Sequence, residues 1–117
     1  YIINNPNQTG VKVGMTTKDV KERLKQLSGT GVPGKFNLIA LFPSDRPKED
    51  EKKAHEKLKK YFLDKEHFDV SPIDALMSVY RALNRRQPLF HDSEIQKEFE
   101  KKCQENKEEM LKKLRKI

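Results

Sequence analysis

Glu51 and His55 stand four residues apart in DEKKAHEKL, a spacing that puts both side chains on one face of a helix. A carboxylate there can hold a divalent cation that contacts a phosphodiester oxygen, while the imidazole positions a phosphate, a water or the carboxylate itself. The same spacing serves a local hydrogen bond equally well. It is not the metalloprotease HExxH pattern, because the glutamate comes first and the second histidine is absent. Phosphodiester cleavage also needs a base or water-orienting group and a cation facing the phosphate. Tyr1 can supply a phenolate or a water contact, and Arg23 a forked guanidinium. Lys12 offers an ammonium that contacts phosphate or lowers the pKa of a neighbouring tyrosine. The structural alternatives are edge packing for Tyr1 and an ordinary solvent-facing strand residue for Lys12.

Other chemistries are poorly served. Cys103 is the only cysteine, which leaves no disulfide framework and no thiolate zinc site, and the three histidines are widely spaced. The glycine-rich SGTGVPG at 28–34 follows an expected helix and precedes an expected strand, the reverse of the order in a phosphate-binding loop, and reads as a turn.

The elements that must position these residues follow from hydrophobic period and turn chemistry. Tyr1 to Ile3 and Val11 to Val13 alternate like strands around the turn-rich NNPNQTG, so a hairpin is expected. Gly14 ends the second strand, where a missing side chain permits either an unusual backbone angle or close approach by another group. Thr16 or Thr17 caps a helix from Lys18, with Val20, Leu24 and Leu27 on its buried face. Lys21 and Lys25 take the wetter side, and Arg23 sits at a border from which it reaches back over Gly14. FNLIALF at 36–42 reads as a central strand covered on both faces. Pro47 opens a helix running to Phe62, with Ala54, Leu58, Tyr61 and Phe62 buried. His67 to Val70 makes a short strand with Phe68 inward. Ser71 and Pro72 start a helix carrying Ala75, Leu76, Val79, Tyr80 and Leu83, and Pro88 closes the domain.

The chain has 117 residues, enough for one compact domain, placed at 1–88, plus a charged helical extension at 89–117. Beyond Asp92 the residues Ile95, Phe99, Cys103, Met110, Leu114 and Ile117 form a broken helical stripe, which suits packing on the domain, a pairing helix or a linker. Charged residues at 37% outnumber apolar ones at 34%, so the core is modest. The net charge of +7 is concentrated before residue 42, where six basic side chains face two acidic ones, a balance that suits a polyanionic partner. No run approaches the roughly 20 apolar residues of a membrane span, and no basic leader precedes an apolar stretch, so a cytoplasmic protein without membrane contact is expected.

Taken in order, YIINN, KVGMT, KDVKERL, FNLIALF, DEKKAHEKL and EHFDV resemble the GIY-YIG nuclease superfamily. The resemblance is closest to its compact phage-type DNA-binding branch, whose second motif often reads K-[IV]-G-x-T. It covers roughly residues 1–70 and extends through the helix to 86. It implies an α+β fold with a small, three-stranded, mostly antiparallel sheet flanked by helices, and attack of water on a DNA phosphate assisted by Mg²⁺ or Mn²⁺. It also implies roles: Tyr1 as base or water-orienting residue, Gly14 as the second-motif glycine, Arg23 as the phosphate-steadying arginine and Glu51 as metal ligand. His55 and Glu66 fall at positions typical of the branch, and Phe68 on the supporting strand. Lys12, Thr16, Lys18, Lys21, Arg23 and Lys25 are the residues expected to meet nucleic acid. Two departures stand out: Tyr1 lacks the preceding Gly-Ile, and Lys12 occupies the place of the second tyrosine, whose phenol chemistry a lysine does not reproduce. Asn84 is the candidate for the family's late asparagine. A DNA endonuclease, a noncatalytic DNA-binding module of the same fold, and a structural or protein-interaction domain that self-associates or binds a partner through residues 92–117 remain the three readings.

Overall fold

The computed structural model describes residues 1–17, Asp19, Glu22 and 36–115. The expected basic helix, with Lys18, Lys21, Arg23 and Lys25, lies outside the described residues apart from Asp19 and Glu22. Strands β1 (Ile2–Asn4) and β2 (Val11–Val13) form the expected antiparallel hairpin, in the register Ile2 to Val13 and Ile3 to Lys12. Its loop is organised by Asn5, which accepts the Asn7 amide on its side chain at 2.9 Å and the Gln8 amide on its carbonyl at 2.9 Å. Gly10 closes the loop at φ +77, where a β-carbon would run into the Phe68 carbonyl.

Among the described residues the sheet has five strands, not three, in the order β3-β1-β2-β5-β4 with every pairing antiparallel. Strand β3 (Asn37–Ala40) is therefore an edge and not the expected centre. Its apolar run has another cause: Ile39, Ala40 and Phe42 are buried, Asn37 is exposed, and the Leu41 amide and carbonyl pair with Leu89 at 2.9 and 2.7 Å. The additional hairpin is β4 (Phe62–Asp64) with β5 (His67–Phe68). The sequence pattern extends the preceding helix into β4, because Tyr61 and Phe62 continue the apolar spacing from Leu58. The helix instead stops at Leu58, a 3₁₀ turn at Lys59–Tyr61 diverts the chain, and Phe62 emerges 57% exposed.

Helix α1 (Pro47–Leu58) starts with proline in its first turn and buries Asp50, Ala54 and Leu58. Helix α2 (Pro72–Ala82) is capped by Ser71, whose hydroxyl accepts the Asp74 amide at 3.3 Å, and is stopped by Asn84 and Arg85 in left-handed conformations. Both helices lie on the sheet face carrying Ile2, Val11, Val13 and Phe68, and these residues with Leu58, Leu76 and Val79 make the core. Helix α3 (Ser93–Arg115) begins at an Asp92 cap and joins that core through Phe99, 2% exposed, whose ring meets Tyr80 at 5.0 Å and Phe90 at 5.4 Å. The remainder of α3 is largely exposed, including Met110, Leu111 and Leu114. Among the described residues no helix is long and apolar enough to cross a membrane.

Candidate active site

The hairpin ladder brings Tyr1 and Gly14 face to face: the Tyr1 nitrogen donates to the Gly14 carbonyl at 2.8 Å and the Gly14 amide returns to the Tyr1 carbonyl at 3.1 Å. Of the two uses open to a glycine here, the structure selects close approach. A β-carbon on Gly14 would stand 2.5 Å from the Tyr1 hydroxyl oxygen, 2.7 Å from its Cζ and 2.8 Å from Glu66 Oε2. The phenol tip and the Glu66 carboxylate thus occupy the space that Gly14 leaves empty.

Glu66 reaches this point because β2 continues along the β4–β5 turn, with the Val13 amide donating to the Glu66 carbonyl at 2.9 Å. Lys12 is not the solvent-facing residue that strand alternation allows. Its side chain is 16% exposed and its Nζ lies 3.9 Å from Glu66 Oε2. Tyr1, Lys12, Gly14 and Glu66 therefore form one cluster.

Glu51 approaches from α1. It lines a narrow cleft of about 90 Å³ together with Tyr1, Gly14 and Thr16, and its Oε2 is buried with no hydrogen-bond partner among the described residues. The Tyr1 nitrogen is buried, and the charges of Glu51 first and Glu66 second reach it. The two carboxylates thus share the surroundings of the Tyr1 nitrogen. No group of three or more His, Cys, Asp or Glu side chains placed to hold a metal ion occurs among the described residues.

His55 is engaged within the fold through one ring nitrogen. Its Nε2 donates to the Val13 carbonyl at 2.7 Å, and its ring leans on Phe68 at 5.1 Å. The imidazole ties α1 to β2 one residue before Gly14, while Phe68, 1% exposed, holds that junction from the core. Asn84, exposed beyond α2, serves the helix end.

Asp50 lies in the first turn of α1, where the helix field favours a carboxylate, and its sequence surroundings say nothing of its partners. Asp50 is 8% exposed and accepts hydrogen bonds from Ser44 Oγ and from Arg86 Nη1, the latter at 2.5 Å; Arg86 also donates to the Pro43 carbonyl at 3.1 Å. Burial works against the Asp50 carboxylate, but the Arg86 and Ser44 hydrogen bonds and the guanidinium charge outweigh it and hold the carboxyl below its ordinary pKa. Nothing local to residue 50 signals a partner 36 positions away. Cys103 is a free, half-buried thiol pushed up by burial, as befits a packed residue and not a nucleophile.

A mixed α+β domain with an antiparallel sheet, helices against it, and a tyrosine, a glycine and a helical glutamate gathered at one cleft is the kind of protein found in the GIY-YIG nuclease superfamily. The chain belongs to the T5orf172 domain family, a relative of that superfamily: the family model matches residues 1–87. No curated protein and no solved structure matches the chain.

Proposed function

We propose that this domain is a divalent-metal-dependent endonuclease that hydrolyses DNA phosphodiester bonds, of the branch whose second motif here reads KVGMT. Residues 1–88 form the nuclease domain in this reading and 89–117 a helical extension. The observation that carries it is Glu51 Oε2, enclosed with no hydrogen-bond partner among the described residues at a cleft shared with Tyr1, Gly14 and Thr16. Such an oxygen costs on the order of 1–3 kcal/mol, more when charged, unless something satisfies it. Mg²⁺ and Mn²⁺ fit that need, since Mg²⁺ is commonly held by one or two carboxylates with water and substrate phosphate completing the shell. Glu51 would hold the ion. When bound, it supplies positive charge to the phosphate and acidifies a coordinated water.

The protein's own groups do the rest. The Tyr1 phenol oxygen, fixed over Gly14, orients the attacking water as a hydroxyl or, as a phenolate, takes its proton. Glu66 holds Lys12 beside it, and Lys12 with Arg23 counters phosphate charge. Thr16, Lys18, Lys21 and Lys25 extend the contact along the DNA backbone. His55 acts by positioning, because its ring nitrogen is engaged on the Val13 carbonyl.

In the test, purified protein is incubated with duplex, nicked, flapped and branched DNA in Mg²⁺ or Mn²⁺. Glu51→Gln is expected to lower cleavage at least a hundredfold while circular dichroism and DNA binding stay unchanged. Cleavage by Glu51→Gln at the native rate overturns the assignment. A second reading, DNA binding without cleavage, is favoured by Lys12, an ammonium engaged with Glu66 where the better-known nucleases carry a second phenol. Salt-sensitive binding with no cutting across the whole panel selects it.

A further inference from the structure

Beside the cleft runs a wider groove of about 410 Å³ that shares Glu51 and His55 with the site but is not used by the chemistry above. Lys48 and Lys52 line it from one face of α1, Lys59 from the 3₁₀ turn that follows, and Lys65 from the β4–β5 turn. Glu56 is paired with Lys59 at 3.2 Å, so the positive charge of the groove comes mainly from Lys48, Lys52 and Lys65. Phe62 contributes an aromatic plane that is 57% exposed on the edge strand. The ring is not loose: Phe68 braces it edge-on, with centroids 6.1 Å apart and planes at 69°.

A single exposed apolar residue is ordinary. A braced, exposed aromatic ring among lysines is the pairing that binds unpaired nucleotides, where cations follow the phosphates and a base stacks on the ring. Lys65 sits in the β4–β5 turn at a φ of 52°, the left-handed conformation that a tight hairpin turn demands and that glycine adopts more freely than lysine.

We propose that this groove is a track for single-stranded DNA, in which Phe62 stacks an unpaired base and Lys48, Lys52 and Lys65 take the neighbouring phosphates. The inference rests on the DNA-handling reading above and adds a structural preference to it: DNA with an unpaired stretch beside the cleft, such as a flap or fork, over blunt duplex.

The test is fluorescence anisotropy without divalent metal, so that cleavage plays no part. The probes are a labelled thymidine oligonucleotide of about 15 nucleotides, within the usual site size of single-strand grooves, and a blunt duplex of equal length. Phe62→Leu keeps the apolar contact with Phe68 but removes the stacking plane. It is expected to weaken single-strand binding by about 5- to 100-fold, to leave duplex binding within twofold, and to be rescued by Phe62→Tyr. Lys65→Gly should raise the unfolding midpoint by several degrees and still weaken single-strand binding. Native single-strand affinity in Phe62→Leu, or equal losses for both probes, overturns the track while leaving the nuclease reading intact. Tighter binding of the matching RNA oligomer, with the same dependence on Phe62, overturns the assignment to DNA. Failure of the native protein to bind any DNA overturns both.

Discussion

Gly14→Ala separates the stability of the fold from the integrity of the site. At a glycine outside the left-handed region, alanine ordinarily stabilises by about 0.4–1 kcal/mol, because it restricts the unfolded chain. Here the added methyl would stand 2.5 Å from the Tyr1 hydroxyl oxygen, 2.7 Å from Cζ and 2.8 Å from Glu66 Oε2. Overpacking of this kind costs about 1–3 kcal/mol. The atoms that must yield are the ends of two side chains and not backbone, so the cost belongs at the low end of that range. Set against the gain, a cost of about 1–1.5 kcal/mol leaves an expected net loss of about 0–1 kcal/mol, or at most several degrees in the midpoint, with the Tyr1 phenol driven off its perch. Tyr1→Phe removes the nearest clashing atom, so the double variant should lose less than the two single losses added together. Urea unfolding of the four proteins measures the coupling, and tyrosine ring resonances report the displacement. A Gly14→Ala protein more stable than the native one, with Tyr1 unmoved and strictly additive energies, would refute the close-approach account.

Two further perturbations probe how α1 is held. His55→Ala removes the donor to the Val13 carbonyl and the ring against Phe68; the expected loss is about 2–3 kcal/mol in urea unfolding, combining an unsatisfied buried acceptor with lost aromatic packing, and a loss below about 0.5 kcal/mol, as for a neutral surface change, rules the clamp out. Asp50 has a folded pKa held below its unfolded value, so its contribution is fully present above the unfolded pKa near 3.8 and is lost as pH falls through the folded pKa. Asp50→Asn and Arg86→Ala should therefore each be less stable than native at pH 7 and approach it in strong acid; parallel stability curves down to pH 2 would show that the pair does not titrate with folding.

Much of this fold is legible because its signals are local. The β1–β2 hairpin follows from strand alternation around an asparagine- and glycine-rich loop, α1 from Pro47, and α2 from Ser71 followed by Pro72. What the sequence hides is whatever depends on a partner far along the chain. The Val13 carbonyl that receives His55 is backbone and has no side-chain signature, and Arg86 is no more basic in appearance than Arg85 beside it. β4 escapes because an edge strand whose three residues are all exposed shows no alternation, while Tyr61 and Phe62 imitate another helical turn. β3 misleads in the opposite direction, since pairing of Leu41 with Leu89 gives an edge the apolar look of a centre. For Gly14 the sequence leaves two uses open, and only the cross-strand position of Tyr1 decides between them.

The candidate site depends on the rotation of α1, and the helix's apolar stripe alone fixes that rotation weakly. Successive residues step about 100° around a helix, so Asp50, Ala54 and Leu58 form one stripe, Glu51 and His55 the next, and Lys48 and Lys52 the one beyond. The first stripe is buried and the third lines the open groove. Glu51 stands on the border between them, which is why its carboxylate has a buried oxygen and still reaches the cleft. Only Ala54 and Leu58 bury apolar side chains, and two residues leave a helix free to roll by part of a step at little cost. Two polar ties remove that freedom. Arg86 and Ser44 hold Asp50 on one flank, and the Val13 carbonyl holds His55 on the other. A roll of one residue would put Asp50, a methylene shorter, where Glu51 now stands, and would break both ties at once. Asp50 lines the same cleft but is taken up by Arg86 and Ser44, so Asp50 and His55 act on the site at second hand, by fixing the rotation that leaves Glu51 as the carboxylate with an unengaged oxygen among the described residues.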